Sequence, residues 1–161
     1  MGVRIPPGVR GKSMKFQQLA YSCGPASIVN ALRCFGIRKA EKTIRKTSNT
    51  NPKNGTSEED MIRVLTDLGF RVNKHEQGNF TKAWKWLHTQ VREGHPIIIS
   101  VRNWSHYVAV IGSIGDRIII ADPDGASHKK ENGILVLNKR RLKKFWYHTT
   151  EKLYTGLAIE K

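Results

Sequence analysis

The hydrophobic period of this chain changes once, near Gly94, and that change restricts its fold more than any other feature. Before Gly94 the apolar residues recur at helical spacing. Ala26, Val29, Ala31, Leu32 and Phe35 make one stripe that closes at Gly36, and Met61, Val64, Leu65 and Leu68 make another that closes at Gly69. After Gly94 come short unbroken apolar runs, Pro96–Val101, His106–Gly112 and Arg117–Asp122, each the length of a buried strand. Turn residues Ser113-Ile114-Gly115-Asp116 separate the last two, which predicts an antiparallel hairpin. Helices first and strands second is an α+β order, with an N-terminal helical part packed on an antiparallel sheet.

Between these landmarks the pattern predicts a short helix over 40–46, and a capping box Thr56-Ser57-Glu58-Glu59 in which Thr56 and Glu59 satisfy each other. It predicts a short strand over 70–72 and a helix over 80–92 with Trp84, Leu87 and Val91 inward. Toward the C-terminus it predicts a strand over 133–137, a basic helix over 139–146 and a final strand over 156–159.

A chain of 161 residues holds one domain with a real core. We assign it to residues 14–161. Residues 1–13, broken by Pro6-Pro7-Gly8 and Gly11, are expected to be disordered or a mis-assigned extension. The phrase Val3-Arg4-Ile5-Pro6-Pro7 is what translation of a GTTCGAATCC tRNA T-arm segment gives, so Met14 is the expected true start. No apolar run is long enough for a membrane-spanning helix and the N-terminus lacks an apolar signal core, so a cytoplasmic location is expected.

Both cysteines lie within Gln17–Gly36. On one helix, positions 23 and 34 would stand about 16 Å apart at ~1.5 Å per residue, beyond the roughly 7 Å limit between Cα atoms for a disulfide. Two free thiols with different tasks follow. Cys34, beside Leu32 and Phe35, reads as a small buried hydrophobe. Cys23, in Ser22-Cys23-Gly24-Pro25, stands where a helix begins, and there unpaired N–H groups and the helix dipole favour a thiolate.

A thiol nucleophile needs a base, and the base an orienting group. His106 opens one hairpin strand and Asp122 ends the other, so both emerge at the open end of the sheet. Asp122 would there hold His106 by Nδ1–H and leave Nε2 for the thiol. His75, His88, His95, His128 and His148 have no partner so placed. Taken singly, a helix-start cysteine, a strand-end histidine and an Asp-Pro turn are each more often incidental. Their conjunction in this order points to catalysis. No CxxC or HExxH spacing calls for a metal, and no cofactor is expected.

The segment Gln17-(five residues)-Cys23-Gly24-Pro25-Ala26 resembles the active-site helix of the papain-like cysteine peptidases that process double-glycine leader peptides of bacteriocins. His106-Tyr107-Val108-Ala109-Val110 resembles the histidine strand of that family, and Ile120-Ala121-Asp122-Pro123 its Asp-Pro strand end. More weakly, Leu142–Trp146 resembles its closing helix. The resemblance implies a papain-like fold, a Cys23–His106–Asp122 triad, and Gln17 as donor to the oxyanion. It implies hydrolysis of a peptide or isopeptide bond in a peptide or protein substrate, with leader processing as one case. Ser22 stands where the family often has an acid, and no membrane domain or ATPase sequence follows, so a stand-alone peptidase domain is expected.

Twenty-eight basic against thirteen acidic residues give a net charge of +15, densest at Lys139-Arg140-Arg141-Leu142-Lys143-Lys144. Such a surface favours anionic partners, nucleic acid or acidic protein, or simply keeps the chain soluble. Two alternatives to peptide hydrolysis therefore stand: a catalytically silent basic binding module, and thiol-dependent acyl transfer to an amine.

Overall fold

A computed structural model describes residues 2–6, 14–125 and 133–161. In chain order its elements are β1 (Val3–Arg4), α1 (Cys23–Arg33), α2 (Glu41–Thr47), α3 (Glu58–Asp67), β2 (Arg71–Gln77), α4 (Phe80–Arg92), β3 (Ile97–Val101), β4 (His106–Ile114), β5 (Arg117–Ala121), β6 (Ile134–Leu137), α5 (Lys139–Trp146) and β7 (Tyr154–Glu160). One antiparallel sheet runs in the order β2-β7-β3-β4-β5-β6, with β1 paired to the far end of β4. This is the α+β, papain-like arrangement expected from the sequence.

Strands β3, β4 and β5 are apolar without alternation because both faces of the sheet are covered there. Ile97, Ile99 and Val101 of β3 join Val108, Val110, Ile118 and Ile120 in a core under Leu87 and Val91 of α4 and Leu142 and Trp146 of α5. Ile98, with Leu157 and Ile159 of β7, faces the other way into Ile28, Leu32, Ile44, Met61 and Leu65 of α1–α3. The two helical groups thus sandwich the sheet, so α4 lies opposite the helices it follows in sequence. Each fully buried isoleucine contributes about 1.5–3 kcal/mol, which makes the hairpin carrying His106 a rigid support.

Several local expectations shift. The N-cap of α3 is Ser57, not Thr56: its Oγ accepts from Asp60 N at 3.1 Å and donates to Asp60 Oδ2 at 2.9 Å. Thr56 is buried instead and bonds Thr50 Oγ1 at 2.7 Å. β2 extends to Gln77 rather than stopping at Val72, because its backbone pairs with all seven residues of β7. Within the segment expected to be irregular before Met14, Val3 and Arg4 pair with Ile114 and Ser113, and Ile5 packs on the Met14, Ala109 and Ile111 cluster. Residues 1 and 7–13 of that segment lie outside the described residues.

Candidate active site

Residues 14–22 reach α1 along a path fixed by its neighbours. Asn30 of α1 accepts from Lys15 N at 2.8 Å and donates to Lys15 O at 3.1 Å. Gln17 N donates to Pro123 O at 2.9 Å, which ties this path to the residue after Asp122. The buried Glu41 accepts from Gln18 N at 2.9 Å and pairs with Arg45.

Ser22 is the N-cap of α1 but does not cap it. Its Oγ turns back to Leu19, accepting from the N–H and donating to the carbonyl, both at 3.0 Å. No side chain therefore competes for the helix N-terminus at Cys23, which is half-buried with a free thiol. Gly24 is required by close approach: a Cβ there would lie 2.9 Å from Thr56 Cβ and Oγ1. Cys34 is also free but buried, and burial pushes its thiol up to about 12.

His106 and Asp122 meet as the hairpin predicted. Ala109 pairs with Ala121, so His106 and Asp122 lie on the same face just beyond that pair, away from the turn at Gly115-Asp116. His106 Nε2 lies 2.7 Å from Asp122 Oδ1, and Asp122 is fully buried. The contacting nitrogen reverses the expectation: Nε2, not Nδ1, faces the carboxylate, and Nδ1 is left for the thiol. The strand direction fixes where the ring starts, but side-chain torsions decide which nitrogen it offers, and sequence does not report these. Asp122 Oδ1 also accepts from Asp124 N at 3.0 Å, and Arg102 Nη2 lies 3.9 Å from Oδ2. Burial disfavours the His106 imidazolium, but hydrogen bonds to Asp122 and Cys23 and the charges of both outweigh it, raising its pKa to about 9.

Cys23 and His106 line one cleft of about 480 Å³. Tyr21 and the 53–57 loop stand among its other walls, with Trp104, Ser105 and Tyr107. Gln17 does not line it. Its Nε2 donates to the carbonyls of Leu19 (2.8 Å) and Ala20 (3.1 Å), so both amide protons are committed to the turn leading to Cys23. The structure thus brings Cys23, His106 and Asp122 together and leaves Gln17 outside the cleft lining.

Trp104 and Arg102 went unnoticed in the sequence. They belong to a β3–β4 turn in which Arg102, Asn103 and Trp104 all have left-handed backbone, with φ of 49°, 54° and 70°. Such strain persists where surrounding contacts over-determine it. Here Thr149 donates to Asn103 Oδ1 from N at 2.8 Å and from Oγ1 at 3.1 Å. The Trp104 indole stacks on buried His148 at 4.1 Å and donates to Glu151 at 2.7 Å. Three non-glycine residues give no signal of this turn. Among the described residues no cluster of His, Cys, Asp and Glu could hold a metal ion, and no helix is long and apolar enough to cross a membrane.

Comparison with known proteins agrees with this fold. The chain is 32% identical over 112 residues to the Lactococcin-G-processing and transport ATP-binding protein LagD of Lactococcus lactis subsp. lactis, a stretch that is 70% of this chain and 15% of that protein. Its fold is similar to the peptidase domain of Streptococcus ComA, a bi-functional ABC transporter, at TM-score 0.69 and 21% identity, covering 92% of this chain and 97% of that one. It is also similar to a double glycine motif protease from an AMS/PCAT transporter, solved with its leader peptide, at TM-score 0.66 and 17% identity over 99% of both chains. The profile of the Peptidase C39 family matches residues 12–150. The chain belongs to that family and is a cysteine-type peptidase.

Proposed function

We propose that the chain cleaves a leader peptide after a glycine pair, using Cys23, His106 and Asp122. The observation that carries this reading is the 2.7 Å contact from buried Asp122 to His106, which lines the same cleft as Cys23. The name of LagD and the leader peptide bound to the PCAT protease support the substrate class.

In this reading the proton shared by Cys23 and His106 rests on His106 Nδ1 while Sγ attacks the scissile carbonyl. Asp122 holds the opposite N–H and stabilises the imidazolium. The uncapped start of α1 supplies the Cys23 backbone N–H to the oxyanion. Gln17 supplies a second proton once one of its two turn contacts is released, each donor contributing roughly 3 kcal/mol in comparable sites. Collapse breaks the C–N bond, the imidazolium protonates the leaving amine, and water then hydrolyses the thioester with His106 as base.

The test is a synthetic peptide carrying an internal glycine pair, digested by the full chain and read by mass spectrometry. A single cut after the pair, lost in Cys23→Ala, is expected. An intact peptide, or a cut that survives Cys23→Ala, would overturn the reading.

A further inference from the structure

A second pocket of about 850 Å³ adjoins the cleft, and its lining is chemically one-sided. Arg102, Arg140, Lys143 and Lys144 line it with Phe80, Tyr147 and Tyr154, and among the described lining residues there is no carboxylate. Arg140, Lys143 and Lys144 are exposed on α5. The two sites share one strained turn: Arg102 and Asn103 face this pocket, and the next two residues, Trp104 and Ser105, face the cleft with Cys23 and His106. Arg102 itself pairs with Asp124 at 3.5 Å, so a chain lying in the cleft passes from Trp104 toward the cationic side chains of Arg140, Lys143 and Lys144.

We propose that this pocket is an accessory site for an acidic segment of the peptide substrate, holding two or more carboxylates beside the scissile region. The proposal rests on the peptidase reading and adds a substrate property to it. Clustered Arg and Lys recognise carboxylates by charge-assisted hydrogen bonds. Nucleic acid fits the aromatic walls less well. Single strands need open ring faces to stack on, whereas the Phe80 face is covered by Lys143 Nζ at 5.8 Å and that of neighbouring Phe145 by the Arg102 guanidinium at 5.7 Å. Tyr154 is 2% exposed.

Fluorescence anisotropy with labelled hexaglutamate, hexaglutamine and hexathymidylate tests the site on the full chain. Two variants lower the net charge equally: Lys143→Glu/Lys144→Glu in the pocket, and Arg38→Glu/Lys39→Glu in a separate exposed cluster after α1. Hexaglutamate is expected to bind at low salt and hexaglutamine not. The pocket variant should weaken hexaglutamate roughly tenfold or more while the α1 variant changes it little. Equal weakening by both variants would reduce the effect to overall charge and overturn the site. Tighter binding of hexathymidylate, lost in the same pocket variant, would replace the acidic peptide with nucleic acid. Lys143→Gln/Lys144→Gln gives the same reading without charge reversal in the last turn of α5, should the glutamate pair unfold. Because anisotropy does not pass through the thiol, failure of this site and failure of the Cys23 chemistry are separately visible.

Discussion

At the scale of single residues, the two thiols stand in opposite environments and His106 faces the buried Asp122 carboxylate. Asp122 accepts from the His106 ring and from the Asp124 backbone, and sits near Arg102. Its removal should therefore act through the ring's orientation. Asp122→Asn is expected to lower peptide turnover by several orders of magnitude, as a wrong tautomer does in other triads, while slowing alkylation of Cys23 far less. Steady-state cleavage and timed alkylation on the same preparation measure the two effects. Equal loss in both would make Asp122 a structural prop for the whole site rather than an orienting group for the base. The choice of ring nitrogen was not legible from sequence, because the spacing of His106 and Asp122 is compatible with either nitrogen. The pairing itself was legible, since two residues beyond the same hairpin end share a face whatever their torsions.

At the scale of elements, what the sequence showed was what periodicity can carry. The stripes of α1, α3 and α4 and the apolar runs of β3, β4 and β5 are burial patterns, and burial produced them, except at Leu68, which follows α3 and is 38% exposed. β2 outruns its apolar signal because Asn73-Lys74-His75-Glu76 is polar and mostly exposed, and its pairing to β7 rests on the backbone ladder with one cross-strand ion pair, Arg71 to Glu160 at 3.1 Å. The cap moved from Thr56 to Ser57 because Thr56 serves a different contact, against Gly24 and Thr50. That contact sets a prediction. Gly24→Ala forces a methyl to within 2.9 Å of Thr56, so either α1 or the 53–57 wall of the cleft must shift. We expect a stability loss of about 1–3 kcal/mol, as for other overpacked sites, together with a loss of turnover, measured by denaturant titration and cleavage. An unperturbed variant would mean that the loop yields freely and does not shape the cleft. The β3–β4 turn gives another. Asn103→Ala removes two anchors to Thr149 while leaving a left-handed backbone with a poorer residue for it. It should lower stability by about 1–2 kcal/mol and Asn103→Gly by less, a ranking that thermal unfolding can check.

At the scale of the whole molecule, the buried histidines set a pH window for stability. His106 has its pKa raised to about 9, so in the folded state it holds a proton that the unfolded chain releases near 6.5. Its contribution is complete below pH ~6.5 and disappears as pH rises through about 9, at most about 3 kcal/mol by linkage. Burial depresses His75 and His148, with the charge of Glu151 and a Ser100 backbone contact opposing the shift at His148. Their contribution is present above pH ~6.5 and is lost as pH falls below it. Stability should therefore peak near neutrality and fall on both sides. Thermal unfolding across pH 5 to 10, approximately the span of these titrations, checks this. His106→Asn should flatten the alkaline limb and leave the acid limb; an unchanged alkaline limb would mean that His106 is not protonated in the folded protein.

The central claim is that Cys23 and His106 act as one unit, and timed alkylation tests it most directly. Iodoacetamide at pH 7, with sites quantified by peptide mass spectrometry, should label Cys23 much faster than Cys34. Cys23 stands at an uncapped helix N-terminus beside His106, whereas burial pushes the Cys34 thiol up to about 12. Replacing His106 with alanine should slow the labelling of Cys23 by an order of magnitude or more, through loss of the neighbouring imidazolium, and leave Cys34 as it was. Equal rates at the two thiols, or a Cys23 rate indifferent to His106→Ala, would contradict the account.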